Sequence, residues 1–412
     1  MVFCLFANTS PLHAQWIQTN GPYGGNINSL AFSPDGAGGT NLYAGAYGGG
    51  VYLSTNSFTS WSGVDTGLTN IHVWSLAVLD TNLFAGTWGG GIFLSTKNGS
   101  SWSAVNTGLA NFFVSRLAVS GTNLFAGTPG GVFLSTKNGS IWTQVNTGLT
   151  STNVYAFAVS PNGAGGTNLF AGTQGGGVFR STNNGTSWTA ASTGMGNITV
   201  LTLAVSPNGA GGTNLFAGTD GSGVFLSTNN GTSWTAVNTG LTRNIVYALA
   251  ISGTNLFAGP YGGGVFLSTN NGTSWTEANT GLTTIYIRFL AISGTNLFAG
   301  TSAGVWRRPL SDMITSVEKL STDLPTHFNL EQNYPNPFNP STTISYDLPK
   351  AGMVTLKVYD LMGKEVATLV NEAMPAGNHT GQWNAEDLPS GVYYYRLQSD
   401  KFAETKKLIL LK

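Results

Sequence analysis

Short apolar runs of four to six residues recur along the first three quarters of the chain, each bounded by Gly, Asn, Ser or Thr. Their β-branched, aromatic and Leu/Ala content is strand chemistry rather than helix chemistry. The phrase Asn-Leu-Phe-Ala-Gly begins at Asn82, Asn123, Asn168, Asn214, Asn255 and Asn296, and Asn-Leu-Tyr-Ala-Gly begins at Asn41. The steps between copies are 41, 41, 45, 46, 41 and 41 residues. The longer steps carry the insertion Ser-Pro-Asn-Gly-Ala-Gly-Gly at 160–166 and 206–212.

Four runs make up each repeat. Run A is Leu76-Ala77-Val78, with copies opening at Leu30, Leu117, Phe157, Leu203, Leu249 and Leu290. Run B is the Asn-Leu-Phe-Ala-Gly phrase, and run C is Val-Phe-Leu-Ser-Thr, as at 265–269. Run D opens at Trp61, Trp102, Trp142, Trp188, Trp234 and Trp275. A period near 42 with four strands per unit predicts a β-propeller blade. There are seven A, B and C runs but six D runs in regular position, because the chain leaves the pattern at Arg307-Arg308-Pro309. The missing copy lies at the other end, where Trp16-Ile17-Gln18-Thr19-Asn20-Gly21 matches the D phrase. The expectation is an all-β, seven-bladed propeller over 15–310, with the N-terminal strand completing the last blade and hiding both edges.

Charge narrows the partners. Lys plus Arg number 17, Asp plus Glu number 17, and charged residues are 8% of the chain. So small a basic complement argues against nucleic acid as a ligand. The one cysteine, Cys4, sits in an apolar stretch from Met1 to Ala7 that leads to Leu12-His13-Ala14. Residues 1–14 read as the tail of a secretory signal with the small Ala14 before the cut, although no Lys or Arg precedes the apolar run. Cleavage there leaves no thiol for a disulfide or a Cys metal site.

The C–D turn reads Ser-Thr-Asn-Asn-Gly-Thr-Ser-Trp at Ser181, Ser227 and Ser268. It resembles the Asp-box, or BNR repeat, of sialidases and sortilin-type receptors. Asn183, Asn229, Asn270 and Asn56 stand in place of the Asp, as do Lys97 and Lys137, and Phe58 replaces the Gly once. The boxes are expected to be scaffold: Asn-Gly supplies the turn, Ser and Thr bond nearby backbone, and the Trp packs between sheets. Calcium there would need more hard oxygen ligands than the turn carries, so no metal or cofactor is expected.

In an antiparallel blade the B–C loop and the D–A connection share one face, opposite the box turns. Within the B–C loop one position varies between constant glycines: Tyr47, Trp88, Pro129, Gln174, Asp220, Tyr261, Ser302. Two residues before run A a second position varies: Asn28, Trp74, Ser115, Tyr155, Leu201, Tyr247, Arg288, with Arg243 nearby. Tyr47, Trp74, Trp88, Tyr155, Gln174, Asp220, Arg243, Tyr247, Tyr261 and Arg288 are therefore the candidate ligand-binding residues, an aromatic and weakly polar surface suited to sugar rings or peptide backbone. Glycoside hydrolysis generally needs two carboxylates flanking the bond. Of the five acids in 15–310, Asp35 and Asp80 fall in A–B turns, Asp65 replaces the Asn of the Asn-Thr-Gly phrase, Glu277 is in run D, and Asp220 alone is on the candidate face. His72 has no Ser-His-Asp or metal set to join. The reading is a non-catalytic recognition module, expected to be monomeric, that binds a glycan or protein. A sialidase-like hydrolase and a structural or adhesive surface protein are the alternatives.

Composition changes after residue 310: residues 311–412 hold 9 of the 17 basic and 12 of the 17 acidic residues. A polar linker over 311–328 precedes alternating strand and turn signals over 329–412, which predict a small Ig-like β-sandwich. Asn333-Tyr334-Pro335-Asn336-Pro337-Phe338-Asn339-Pro340, then Gly363, then Ser390-Gly391-Val392-Tyr393 and a basic-flanked end follow in order. This region resembles the type A C-terminal sorting domain of the type IX secretion system. The resemblance implies passage through the periplasm of a double-membrane bacterium and recognition by the type IX secretion machinery. It also implies removal of the domain by a sortase-like peptidase, and release or tethering to surface lipopolysaccharide.

Overall fold

The computed structural model describes residues 15–35, 40–55, 58–161, 167–208, 213–313, 327–333, 336–374, 376–400 and 402–411. The expected signal segment 1–14, the box residue Asn56 and the motif residues Tyr334 and Pro335 lie outside the described residues. The chain divides into two units, Met1–Thr315 and Ser316–Lys412.

Among the described residues, the first unit holds seven four-stranded antiparallel sheets. Six are built from contiguous chain, as in Val73–Leu79, Asn82–Thr87, Gly91–Ser95 and Ser103–Ala104. The seventh takes three strands from Ile287–Ser293, Asn296–Thr301 and Gly304–Pro309 and its outermost, Ile17–Gln18, from the other end of the chain. Ile17 pairs with Arg307 and Gln18 with Trp306. Each innermost strand lies beside the innermost strand of the next sheet, and Asn26–Pro34 lies beside Ile287–Ser293, so the sheets close into a ring.

The seams between sheets are made by the tryptophans. The Trp102 indole N–H donates to the Val64 carbonyl of the preceding sheet at 2.7 Å, Trp142 to Val105 at 2.7 Å, and Trp188 to Val145 at 2.8 Å. Trp234 donates to Ala191 and Trp275 to Val237, both at 2.7 Å. Trp16 repeats the contact on Ala278 at 2.7 Å, and Trp61 completes the set on the Thr19 carbonyl at 3.2 Å. Burying so large a ring while its one polar atom stays paired is why Trp suits this place. The sequence reading opened the outer strand at the Trp itself. In the structure the outer ladder starts one residue later, at Ser103 in the second sheet. The reason is that the Trp102 backbone N–H is committed to Thr66 of the neighbouring sheet at 2.9 Å.

The box turns hold themselves. Ser181 Oγ accepts from the Gly185 N–H at 2.8 Å, and Asn183 Oδ1 accepts from the Ser187 N–H at 3.0 Å. The same pairs recur at Ser227 and Asn229 and at Ser268 and Asn270. Where Lys97 or Lys137 replaces the Asn, the serine bond to Gly99 or Gly139 remains. Phe58, at the position of the Gly, takes a φ of 70° and sets its ring edge-on to Phe298 at 4.7 Å.

The second unit packs two sheets around one core. Three strands, Asn329–Leu330, Ser341–Leu348 and Gly377–Asn384, form one sheet. The other runs in the order Glu365–Met374, Gly352–Tyr359, Gly391–Ser399, Phe402–Leu410. Leu330, Ile344, Tyr346, Leu356, Trp383 and Tyr395 are buried between them. Tyr395 Oη donates to the Glu331 carbonyl at 2.6 Å and accepts from the Asn333 N–H at 2.9 Å. Burial is the main cause that pushes its phenol up to about 12.

Two outcomes follow. Gly108 has a φ of +84°, and a Cβ there would lie 2.2 Å from the Trp142 carbonyl oxygen. Gly108→Ala should therefore lower the unfolding free energy by about 2–4 kcal/mol. Gly121→Ala, at φ +59° with nothing within 4 Å, should cost about 1 kcal/mol; equal losses in chemical denaturation would refute the seam contact. In the second unit, Tyr395→Phe should cost about 1–2 kcal/mol by leaving the Asn333 N–H unpaired. A raised phenol pKa contributes stability below the unfolded value near 10 and loses it towards 12. The gap between wild type and variant should thus be constant below pH 10 and shrink above it; a gap unchanged to pH 12 would contradict this.

Candidate functional site

The bore of the ring is lined by the starts of the inner strands, and a backbone irregularity decides which side chains face it. In six sheets the inner strand carries a one-residue register shift against its neighbour, as between Val73 and Ser75 or Val246 and Ala248. A β-bulge of this kind leaves one residue unpaired and re-aims its side chain. The residues so released are Asn28, Trp74, Tyr155, Leu201, Tyr247 and Arg288, and all six line one cavity of ≈ 270 Å³ at the mouth of the bore. Arg116, Gln174, Thr199 and Asp220 complete its lining.

The third sheet departs from the rule. Ser115, which the repeat alignment set beside the six, is buried, and its single hydroxyl proton is shared between the Gly127 carbonyl at 2.9 Å and the Val154 carbonyl of the next sheet. Arg116 faces the bore instead. It pairs with Gly127, as Ser75 pairs with Gly86 and Phe289 with Gly300. At this level the other copies are Ser29, Ser75, Ala156, Thr202 and Ala248, so Arg116 and Phe289 are the two large side chains of the layer. The Arg116 guanidinium carbon lies 5.7 Å from the Phe289 ring centroid. Both also line a deeper chamber of ≈ 210 Å³ below the first. Desolvation holds the Arg116 pKa down at about 10, which leaves it cationic at neutral pH.

Six of the ten candidate residues, Trp74, Tyr155, Gln174, Asp220, Tyr247 and Arg288, therefore meet in one cavity. Tyr47, Trp88 and Tyr261 stand outside it but touch its wall. Tyr47 is 5.5 Å from Trp74, Trp74 is 5.1 Å from Trp88, and Trp88 is 5.0 Å from Phe113. A second run joins Tyr247 to Tyr261 at 5.8 Å and Tyr261 to Tyr286 at 5.1 Å, with Arg288 over Tyr247 at 5.4 Å. Backbone bridges from Tyr47 to His72, Trp88 to Phe113 and Tyr261 to Tyr286 put the B–C loops and the following D–A connections on one face. Phe112, Phe113, Ile285 and Tyr286 are exposed beside these runs. Arg243 is exposed in its connection and is not part of the cavity lining. Arg116 and Thr199 were missed by sequence reading. For Arg116 a signal was present, since its position holds a small residue in five other copies.

In the second unit the motif residues tie a loop to the last strand. Asn336 Oδ1 accepts from the Ile409 N–H at 2.9 Å, and Phe338 is buried against Trp383 at 5.5 Å between centroids. The Phe338 N–H donates to the Ile409 carbonyl at 3.0 Å. Pro337 and Asn339 are exposed, Pro340 accepts from the Ala385 N–H, Gly363 turns the chain at φ 78°, and Gly391 opens a strand against Leu410.

Residues 332–411 match the family described as secretion system C-terminal sorting domain. No curated protein sequence matches the chain. PorZ of Porphyromonas gingivalis, an essential surface component of its type IX secretion system, superposes with a TM-score of 0.52 at 18% identity, over 95% of this chain and 60% of PorZ. The GH74 xyloglucanase of Xanthomonas campestris gives 0.56 at 16%, over 81% of this chain and 60% of the enzyme. The WD40 β-propeller domain of Doa1 gives 0.54 at 13%, over 71% and 96%. The chain thus spans about 60% of the length of PorZ and of the xyloglucanase. At these identities the likeness is one of fold, and the fold is a β-propeller. The sorting domain at residues 332–411 addresses the chain to the type IX secretion machinery, and hence to the cell surface or extracellular space of a Gram-negative bacterium.

Proposed function

We propose that the exported ring is a seven-bladed, non-catalytic recognition module that binds a glycan on the face holding the B–C loops. The observation that carries this reading is the cavity released by the bulges, with two runs of aromatic rings leading from it. Flat aromatic faces beside a few convergent polar groups are what sugar rings require of a site. Asp220 is the one acid among the residues lining the cavity. Glycoside hydrolysis generally takes a pair of carboxylates astride the bond, which is why binding is preferred to cleavage. The likeness to a xyloglucanase is consistent with a sugar ligand and is too distant to bring its chemistry along. The box face, where turns close on themselves, is assigned to scaffold.

A glycan array that includes bacterial cell-wall and surface polysaccharides, probed with the protein and with a Trp88→Ala, Tyr261→Ala variant, tests the reading. Specific binding that falls about tenfold or more in the variant is expected, since each lost aromatic contact is worth about 1 kcal/mol. Retained binding in a variant that melts like the wild type would move the site off this face. Release of a reducing sugar end on incubation would replace binding by hydrolysis.

A further inference from the structure

Arg116 is a cation without a counter-ion. Its one hydrogen bond among the described residues runs from Nε to the Tyr155 carbonyl at 3.4 Å. The ion pairs among the described residues are Lys350–Asp400, Lys357–Glu365 and Lys406–Glu404, all in the second unit. The terminal nitrogens of the guanidinium thus have no protein acceptor, although the side chain lines both chambers of the bore. The guanidinium is only part-buried and faces the open bore, so it is accessible to an anion that enters from the mouth.

The rest of the cavity says what that partner carries. Its lining holds two arginines, Arg116 and Arg288, and one acid, Asp220, which leaves a single net positive charge. A monoanion matches this balance, and a doubly charged phosphate exceeds it. A guanidinium presents parallel N–H donors that fit the two oxygens of a carboxylate. Trp74, Tyr155 and Tyr247 supply flat walls above Arg116, and Phe289 lies under the guanidinium. At ≈ 270 Å³ the chamber is at the small end for ligand sites, so it takes the end of a chain rather than its length.

We propose that the throat takes the carboxylate of an acidic sugar at the end of the bound glycan, with Arg116 as its counter-ion. This rests on the reading of the mouth as a glycan site. The neutral remainder of the chain then runs outward over the rings of Trp74 and Trp88 or of Tyr247 and Tyr261.

The test compares acid and ester on the intact protein. Calorimetric titrations would use oligosaccharides ending in glucuronate, galacturonate or mannuronate, each beside its methyl ester. One acid at least should bind about tenfold or more tightly than its ester, the increment of a charge-assisted hydrogen bond. Arg116→Leu should remove the difference, and Arg116→Lys should keep part of it. Because the acid-to-ester comparison is made on the wild-type protein, it stands even if a variant folds badly. Equal binding of acids and esters would overturn the proposal and leave the glycan site intact. Binding of a peptide with a free C-terminal carboxylate, with no sugar of either kind bound, would overturn both.

Discussion

Every sheet in the ring is joined to its predecessor by the same contact, an indole N–H on a carbonyl of the sheet before. A four-stranded sheet of short strands cannot bury its faces alone, so each depends on neighbours at a fixed distance and angle. The Trp fills the gap between sheets, its nitrogen sets the register, and Gly108 shows how little room is left, with the Trp142 carbonyl where a Cβ would be. Closure needs the contact at the last junction too. Trp16 supplies it on Ala278, and Trp61 then finds its acceptor in Thr19 of the same N-terminal strand. The two ends of the ring are thereby joined at a seam of the same kind as the others.

With the seams carrying the packing, the strand starts at the bore are free to vary. The bulge in six inner strands sets one residue aside from the ladder, and that residue is an Asn, a Trp, two Tyr, a Leu and an Arg in turn. In the third sheet Ser115 stands at this position, its hydroxyl joins two sheets, and the next residue, Arg116, enters the bore. The bulges therefore build most of the lining of the cavity. The opposite face has no such freedom, because its serines and asparagines are spent on their own turns.

Much of this was legible in the residues. The repeat of Asn-Leu-Phe-Ala-Gly and of the Trp marked the strands, because strand length and turn chemistry are local properties. The displaced copy at Trp16 was readable since it retains the D phrase, and the structure pairs Ile17 with Arg307 as that phrase requires. The shared face of the two loop sets followed from antiparallel geometry. What the residues withheld was set by contacts between sheets. The outer ladder starts after the Trp because the Trp N–H bonds to another sheet. Arg116 was passed over because the repeat alignment puts Ser115 at the variable position, whereas Ser115 turns to the carbonyl of Val154 and leaves the bore to Arg116.

The proposed recognition lies at the mouth of the bore and not at the box turns. Hydrogen exchange of the full chain, with and without a saturating glycan selected by array, distinguishes the two faces. Protection confined to the B–C loops and the D–A connections, around residues 47, 74, 88, 155, 174, 247 and 261, is the predicted result. Protection centred on the turns at 181–187, 227–233 and 268–274, with the mouth unchanged, would contradict it.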